Sequence, residues 1–278
     1  MTAPYRPEPG AGEAMYALAT ELYPICRSIT GAGLRETLRR IQRLVSLELH
    51  EVASGTRVLD WTVPKEWNVR DAWVADARGE RVIDFQRHNL HVLNYSVPVR
   101  RRMTLAELRP HLFTLPERPD WIPYRTSYYA ENWGFCLAQR VLDALPEGEY
   151  EVCIDATLEP GHLTYGELFL PGAATDEMLF SCHVCHPSLA NDNLAGVVVA
   201  VWLARNRACA ARIRGGMTLV CLGDERGFTY KRTFAGRTQI DRAAELVLAL
   251  ARQEVLAVGQ MARLEPRVDA DLVLGIRE

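Results

Sequence analysis

Residues 177–224 read EMLFSCHVCHPSLANDNLAGVVVAVWLARNRACAARIRGGMTLVCLGD, and this stretch decides the fold. Met178-Leu179-Phe180 is a short apolar run ending in Ser181-Cys182-His183, and the polar loop HPSLANDN follows from His186 to Asn193. From Leu194 to Arg212 the pattern is helical, with Leu194, Val197, Val198, Val201 and Trp202 on one face and Asn191 to Asn193 as candidate N-caps. Gly215-Gly216 stops this helix, and Met217 to Leu222 is a second apolar run closing in Gly223-Asp224. Short apolar strands joined by an amphipathic helix predict a βαβ unit with buried parallel strands.

In open parallel sheets, ligands bind beyond the carboxyl ends of the strands. His183 ends the first strand, Asp224 ends the second, and Asp192 lies nine residues after His183 on the loop entering the helix. One neutral imidazole and two carboxylates are donors of the kind that hold catalytic zinc while leaving a position for water. The same residues admit plainer roles: Asp192 as a helix cap, Asp224 as a turn residue. Cys182-His183-Val184-Cys185-His186 also matches the C-x-x-C-H pattern of haem attachment. Cys185 and His186 form a further candidate, a nucleophile and base pair, although adjacent residues rarely present their side chains to each other.

Outward from this unit, the chain has 278 residues, 48% apolar and 24% charged, enough to bury a sizeable core and unlike a disordered or collagenous composition. Its net charge of -3 offers no footprint for nucleic acid or acidic membranes, and Arg100 to Arg102 reads as a solvated loop or strand edge. No run of 18 apolar residues occurs, and the start MTAPYRPEPGAGEAMY lacks an export signal. Seven scattered cysteines then predict a reduced, cytoplasmic setting with the thiols acting as small hydrophobes. Ala14–Cys26 and Leu34–Val45 read as helices, the latter from Leu34, Leu38, Ile41 and Val45. Between about Leu47 and Val99 the chain turns β-rich, with strands expected at Thr56–Val63, Asp71–Ala75, Arg81–Phe85 and Leu90–Val99, and a hairpin at Asp76–Glu80. The aromatic segment WIPYRTSYYAENW (121–133) is expected to pack between domains, and Trp133–Leu145 to be helical. Tyr150, Val152, Ile154, Ala156 and Leu158 alternate with polar residues as in a half-buried strand, and another strand is expected near Leu163–Leu170.

The string LFSCHVCHPSLANDNLAG (179–196) resembles the DUF4910 aminopeptidase-like family, relatives of the M28 zinc exopeptidases. LYPICRSITGAG near Tyr23, PYRTSYYAENWGFC near Tyr128, and CLGDERGFTYKRT with IDRAAELVL after Cys221 carry the same resemblance. It spans about Ala14 to Leu250, and the middle β-rich segment is similar to that family's DUF2172 insertion. The resemblance implies an α/β fold: a zinc-exopeptidase-like mixed, largely parallel sheet flanked by helices, formed by residues 1–46 and 125–278, with a small β-rich domain inserted at 47–124. It implies a hydrolase acting on peptide or amide bonds at a free amino end, with one or two Zn²⁺ ions held by His183, Asp192 and Asp224. His186 belongs to the same motif, either orienting a ligand or acting as one. Cys185 stands where M28 relatives carry an Asp that orients the first His.

The resemblance also implies a truncated and internally shortened chain. The Glu-bearing Pro-Glu-Thr-Ile-Gly-like stretch expected between the motif helix and the next strand is missing, and no His follows His186. Glu225, beside Asp224, is the nearby carboxylate left to act as general base. The implied partners are a small peptide or amide substrate, with no nucleic acid or membrane, and a homo-oligomer is left open. A non-catalytic binding or scaffold descendant is the alternative function.

Overall fold

The computed structural model describes residues 9–58, 61–171, 177–205 and 216–222. Helices α1 (Ala11–Leu22) and α2 (Ala32–Gln42) precede strand β1 (Glu48–Ala53). Short strands β2 (Arg57–Val58) and β3 (Trp61–Thr62) lead to β4 (Glu66–Ala75), β5 (Arg81–Asp84) and β6 (Val99–Thr104). The one-turn helix α3 (Leu105–Leu108), strands β7 (Leu112–Phe113) and β8 (Phe135–Cys136), and helix α4 (Gln139–Asp143) follow. The long strands β9 (Glu149–Glu159) and β10 (His162–Leu170), then β11 (Glu177–His183), α5 (Ala195–Arg205) and β12 (Gly216–Leu222), complete the described chain.

Two compact units emerge. Among the described residues, one comprises those up to 23, those at 36–50 and those from 165 onward; the other comprises those at 24–35 and 51–164. In the first, a four-stranded sheet runs β1-β10-β12-β11. β11 and β12 pair in parallel, with His183 opposite Leu222, and the connection between them carries α5, so the expected βαβ unit is present. β10 pairs antiparallel with β12, so the fold is mixed α/β rather than largely parallel across its described strands. The parallel pair is a local consequence of the crossover helix, whereas β10 joins through long-range pairing that leaves no periodic trace in sequence. α5 buries Val197, Val198, Ala200, Val201 and Ala204, and α1 contributes Met15, Leu18 and Leu22 to its buried face. Arg40 of α2 pairs with Glu36 one turn earlier at 2.8 Å and with Glu21 of α1 at 3.0 Å.

The second unit is organised by the sheet β5-β4-β9-β6, antiparallel throughout. β9 lies inside this sheet, and the alternation read from its sequence places Tyr150, Val152, Ile154 and Ala156 in the core. The β4–β5 turn forms as expected: Asp76 N–H donates to Glu80 O, the Asp76 carboxylate accepts from the Arg78 and Glu80 amides, and Gly79 has φ of 80°. Arg100 to Arg102 lie on the edge strand β6, where exposed cations oppose pairing with other chains. Residues 90–98 form a short 3₁₀ turn and loop instead of a strand, and 133–145 is helical only at Gln139–Asp143. Phe135, Cys136 and Leu137 are consecutively buried, which a helix face cannot do, and the first two pair as β8. The 121–133 segment packs within this unit: Tyr128 meets Tyr95 edge-on at 5.1 Å, and Trp133 stacks on His111 at 3.6 Å.

Polar ties fasten residues 24–35 to these strands. Arg35 grips both oxygens of Glu66, Nη1 donating to Oε2 at 3.0 Å, while Glu66 also accepts from His162 N–H at 3.0 Å and Asn68 Nδ2 at 3.1 Å. Burial alone would raise the Glu66 carboxyl, but these donors outweigh it and bring it down to about 2. Gly31, at φ 96°, has no room for a side chain, since a Cβ would lie 2.1 Å from the Trp67 carbonyl.

Candidate metal centre

The site grows from the end of β11. His183 is its last residue, and the chain then leaves the sheet through Val184 and Cys185, both buried. His186 is buried too, and the turn at Pro187-Ser188 is made with Ser188 at φ 45°. Ser188 Oγ donates to the Tyr23 carbonyl at 3.0 Å, which anchors the middle of the loop. A π-turn, Ala190–Leu194, carries Asp192 and leads into α5. Asn193 does not cap that helix by the expected side-chain bond; its Nδ2 donates to the His183 carbonyl at 3.2 Å, so the loop closes on its own start. A Cβ on Gly196 would lie 2.2 Å from the Asn193 Oδ1, so the small residue leaves room for this amide.

The folding of this loop brings three donors together. His183 Nε2 lies 2.8 Å from Asp192 Oδ1, and His186 Nδ1 lies 3.9 Å from the same oxygen. The rings meet edge to face at 5.0 Å, and one ligand atom from each residue lies within 4.8 Å of the others. Ligands held 2.0–2.1 Å from a tetrahedral zinc are about 3.3 Å apart, so these spacings bracket the required value. Two imidazoles and one carboxylate fit zinc chemically as well. Asp224 and Glu225 lie outside the described residues.

The rival readings of the motif meet geometric obstacles. Cys182 and Cys185 are 7% and 0% exposed, which withholds both thiols from a haem attachment surface. Contrary to the expectation for adjacent residues, Cys185 Sγ does reach His186 Nδ1, at 3.6 Å. Its complete burial, however, keeps the sulfur from a substrate carbonyl. Sequence reasoning missed Ser188 as a loop anchor and Asn193 as a clasp. The Asn-Asp-Asn triplet was the available signal, since such side chains bond readily to nearby backbone.

The profile of the DUF4910 family, a domain of unknown function, matches residues 16–211 and 200–263. The chain belongs to this family. A Clostridium acetobutylicum protein described as a candidate polysaccharide biosynthesis protein with an aminopeptidase-like domain is 47% identical over 265 residues, 85% of this chain and 61% of its own length. The DUF4910 chain thus spans less than two thirds of that relative. A crystal structure of a candidate peptidase from the same organism is 47% identical, with a TM-score of 0.77 over 82% of this chain and 55% of that one. A zinc aminopeptidase from Bacillus subtilis, 11% identical, aligns over 80% of this chain and 62% of its own with a TM-score of 0.50, a likeness of fold alone. The DUF4910 chain therefore has a mixed α/β aminopeptidase-type fold and belongs to an aminopeptidase-like family. No described helix is long and apolar enough to cross a membrane.

Proposed function

We propose that this DUF4910 protein is a zinc-dependent hydrolase that cleaves a peptide or amide bond beside a free amino group. The observation that carries the reading is the convergence of His183, His186 and Asp192 at the end of β11. The family's aminopeptidase-like relative and the fold shared with a zinc aminopeptidase support it. His183 and Asp192 hold the ion, and a third ligand comes from Asp224 or His186. Bound there, zinc supplies an acidified water and polarises the scissile carbonyl. Asn193 holds the His183 backbone, Ser188 fixes the loop between the donors, and Glu225 is the carboxylate assigned to receive a proton. Small peptides are the substrates, or the amide of an amino sugar given the polysaccharide context of the relative's name. The reading includes no nucleic-acid or membrane partner.

The shortness of the segment between α5 and β12, where no Glu-bearing stretch intervenes, favours a second reading in which the fold binds without turnover. Assays with unblocked aminoacyl and peptide substrates, beside their amino-acetylated counterparts, separate the two. Release of the amino-terminal residue from the unblocked set alone, abolished by EDTA and restored by zinc, is expected. Zinc-loaded protein without turnover on any free-amino substrate leaves the binding module standing.

A further inference from the structure

We propose that His88 and His91 form an acid-sensitive latch, in which protonation opens the 3₁₀ turn Asn89–His91 and loosens its hold on Pro24 and on β8. The latch lies in the β-rich unit and owes nothing to the hydrolase reading. Its two rings carry their protons on opposite nitrogens. His88 is the N-cap of the turn, and its Nδ1 accepts from the Leu90 N–H at 3.2 Å, so the proton of the neutral ring sits on Nε2. His91 Nδ1 lies 2.8 Å from the Cys136 carbonyl, which can only accept, so this ring carries its proton on Nδ1. The rings meet edge to face at 6.4 Å.

One of these two bonds does not survive a second proton. An imidazolium has two N–H donors and no acceptor, so a charged His88 meets the Leu90 amide donor to donor and the cap is lost. A charged His91 keeps its bond to Cys136 but adds a like charge beside the first. The turn is well placed to transmit the change. Asn89 Nδ2 donates to the Pro24 carbonyl at 2.9 Å, Leu90 is buried, and the next residues, Val92 and Leu93, pair with Phe135 and Gly134. Asp84 at the end of β5 draws His91 toward its charged form, but its Oδ1 already accepts from Arg81 and the Gln86 N–H, and Arg87 acts in the opposite direction. The charge that acts on His88 is that of His91. Burial, the largest cause at both rings, holds them below the ordinary histidine value of 6.5. An opened, solvated turn therefore binds more protons than the closed one below about pH 6.5, and the closed form weakens as pH falls through that value.

Amide hydrogen exchange of the full chain tests this, followed by NMR at about pH 7.5 and 5.5 and corrected for intrinsic rates. Uptake of one proton on opening should lower the protection of the Leu90 N–H on the order of tenfold across this range. At the lower pH Leu90 should be at least about tenfold less protected than Ile154, in the middle of β9, because the opening is local. His88→Asn supplies a capping oxygen that does not titrate, and His91→Gln keeps an amide donor for Cys136. The double variant should hold Leu90 protection constant between the two pH values. Ring nitrogen shifts of the wild type need no variant, and should place the proton on Nε2 of His88 and Nδ1 of His91 at the higher pH. The proposal is overturned by Leu90 protection that does not change with pH in wild type, by equal protection of Leu90 and Ile154 at the lower pH, by a pH dependence that persists in the double variant, or by a proton on Nδ1 of neutral His88.

Discussion

Two carboxylates, one in each compact unit, are met by nitrogen donors, and their surroundings differ. Glu66 is 13% exposed, and both its oxygens are occupied by the permanent cation Arg35, by an amide side chain and by a backbone N–H. Asp192 is 65% exposed and faces two imidazoles, a group type able to ligate metals. A carboxylate whose acceptor capacity is filled by fixed charge holds strands and loops in place. One that shares a single oxygen with two imidazoles and stays exposed keeps acceptor capacity, which the proposed ion would use.

The largest effect should come from breaking the filled partner. Glu66→Ala leaves Arg35 without its counter-charge and frees residues 24–35 from β4, which should cost about 2–4 kcal/mol in urea denaturation. Metal affinity of the folded protein should not change. Asp192→Asn should invert the pattern. It should lower zinc affinity on the order of 100-fold, equivalent to about 2.7 kcal/mol, as read by competition with a chelating dye. The metal-free protein should keep its stability within about 0.5 kcal/mol, because the side chain is exposed. In wild type, free zinc at about 100 times its dissociation constant should add about 2.7 kcal/mol and raise the thermal midpoint, and EDTA should reverse this.

A smaller effect should appear in acid. Glu66 titrates near 2 in the folded chain against about 4.3 in an unfolded one, so its stabilisation is complete above about pH 4.3 and fades as pH falls toward 2. The pH dependence of the denaturation midpoint should show this loss, on the order of 1–2 kcal/mol after solvent screening, and Glu66→Gln should abolish it. Smallest of all is the effect expected at Asp155. Its carboxyl is lowered chiefly by the bond from Arg70, yet the pair is solvent-exposed. Asp155→Asn should leave the denaturation midpoint unmoved.

The βαβ unit was legible because α5 and its flanking strands carry local periodicities, and β9 because it buries alternate residues. The Asp76–Glu80 turn was legible from an Asp and a Gly in positions that demand them. β6 was half-legible: Arg100 to Arg102 read as an edge, but three adjacent cations show no alternation to mark a strand. Residues 135–136 mimic a helix in composition while pairing as a strand, a choice made by burial on all sides. The antiparallel entry of β10 beside β12 rests on pairings across some fifty residues, from Leu170 with Met217 to Gly166 with Cys221, and such pairings leave no local pattern. At the site, the spacing of His183 and Asp192 was readable. The convergence of His186 on the same oxygen was not, because it depends on the left-handed Ser188 and the Asn193 clasp, features of backbone path rather than residue type.

The central claim is that His183 and Asp192, brought together beside His186 at the end of β11, hold a metal ion. Anomalous diffraction at the zinc edge, from crystals of the full chain grown with zinc, tests it most directly. The account predicts a strong peak about 2.0–2.2 Å from His183 Nε2 and Asp192 Oδ1, with His186 or Asp224 as the third protein ligand. No peak at the end of β11, or a peak there that His183 and Asp192 do not ligate, would contradict it.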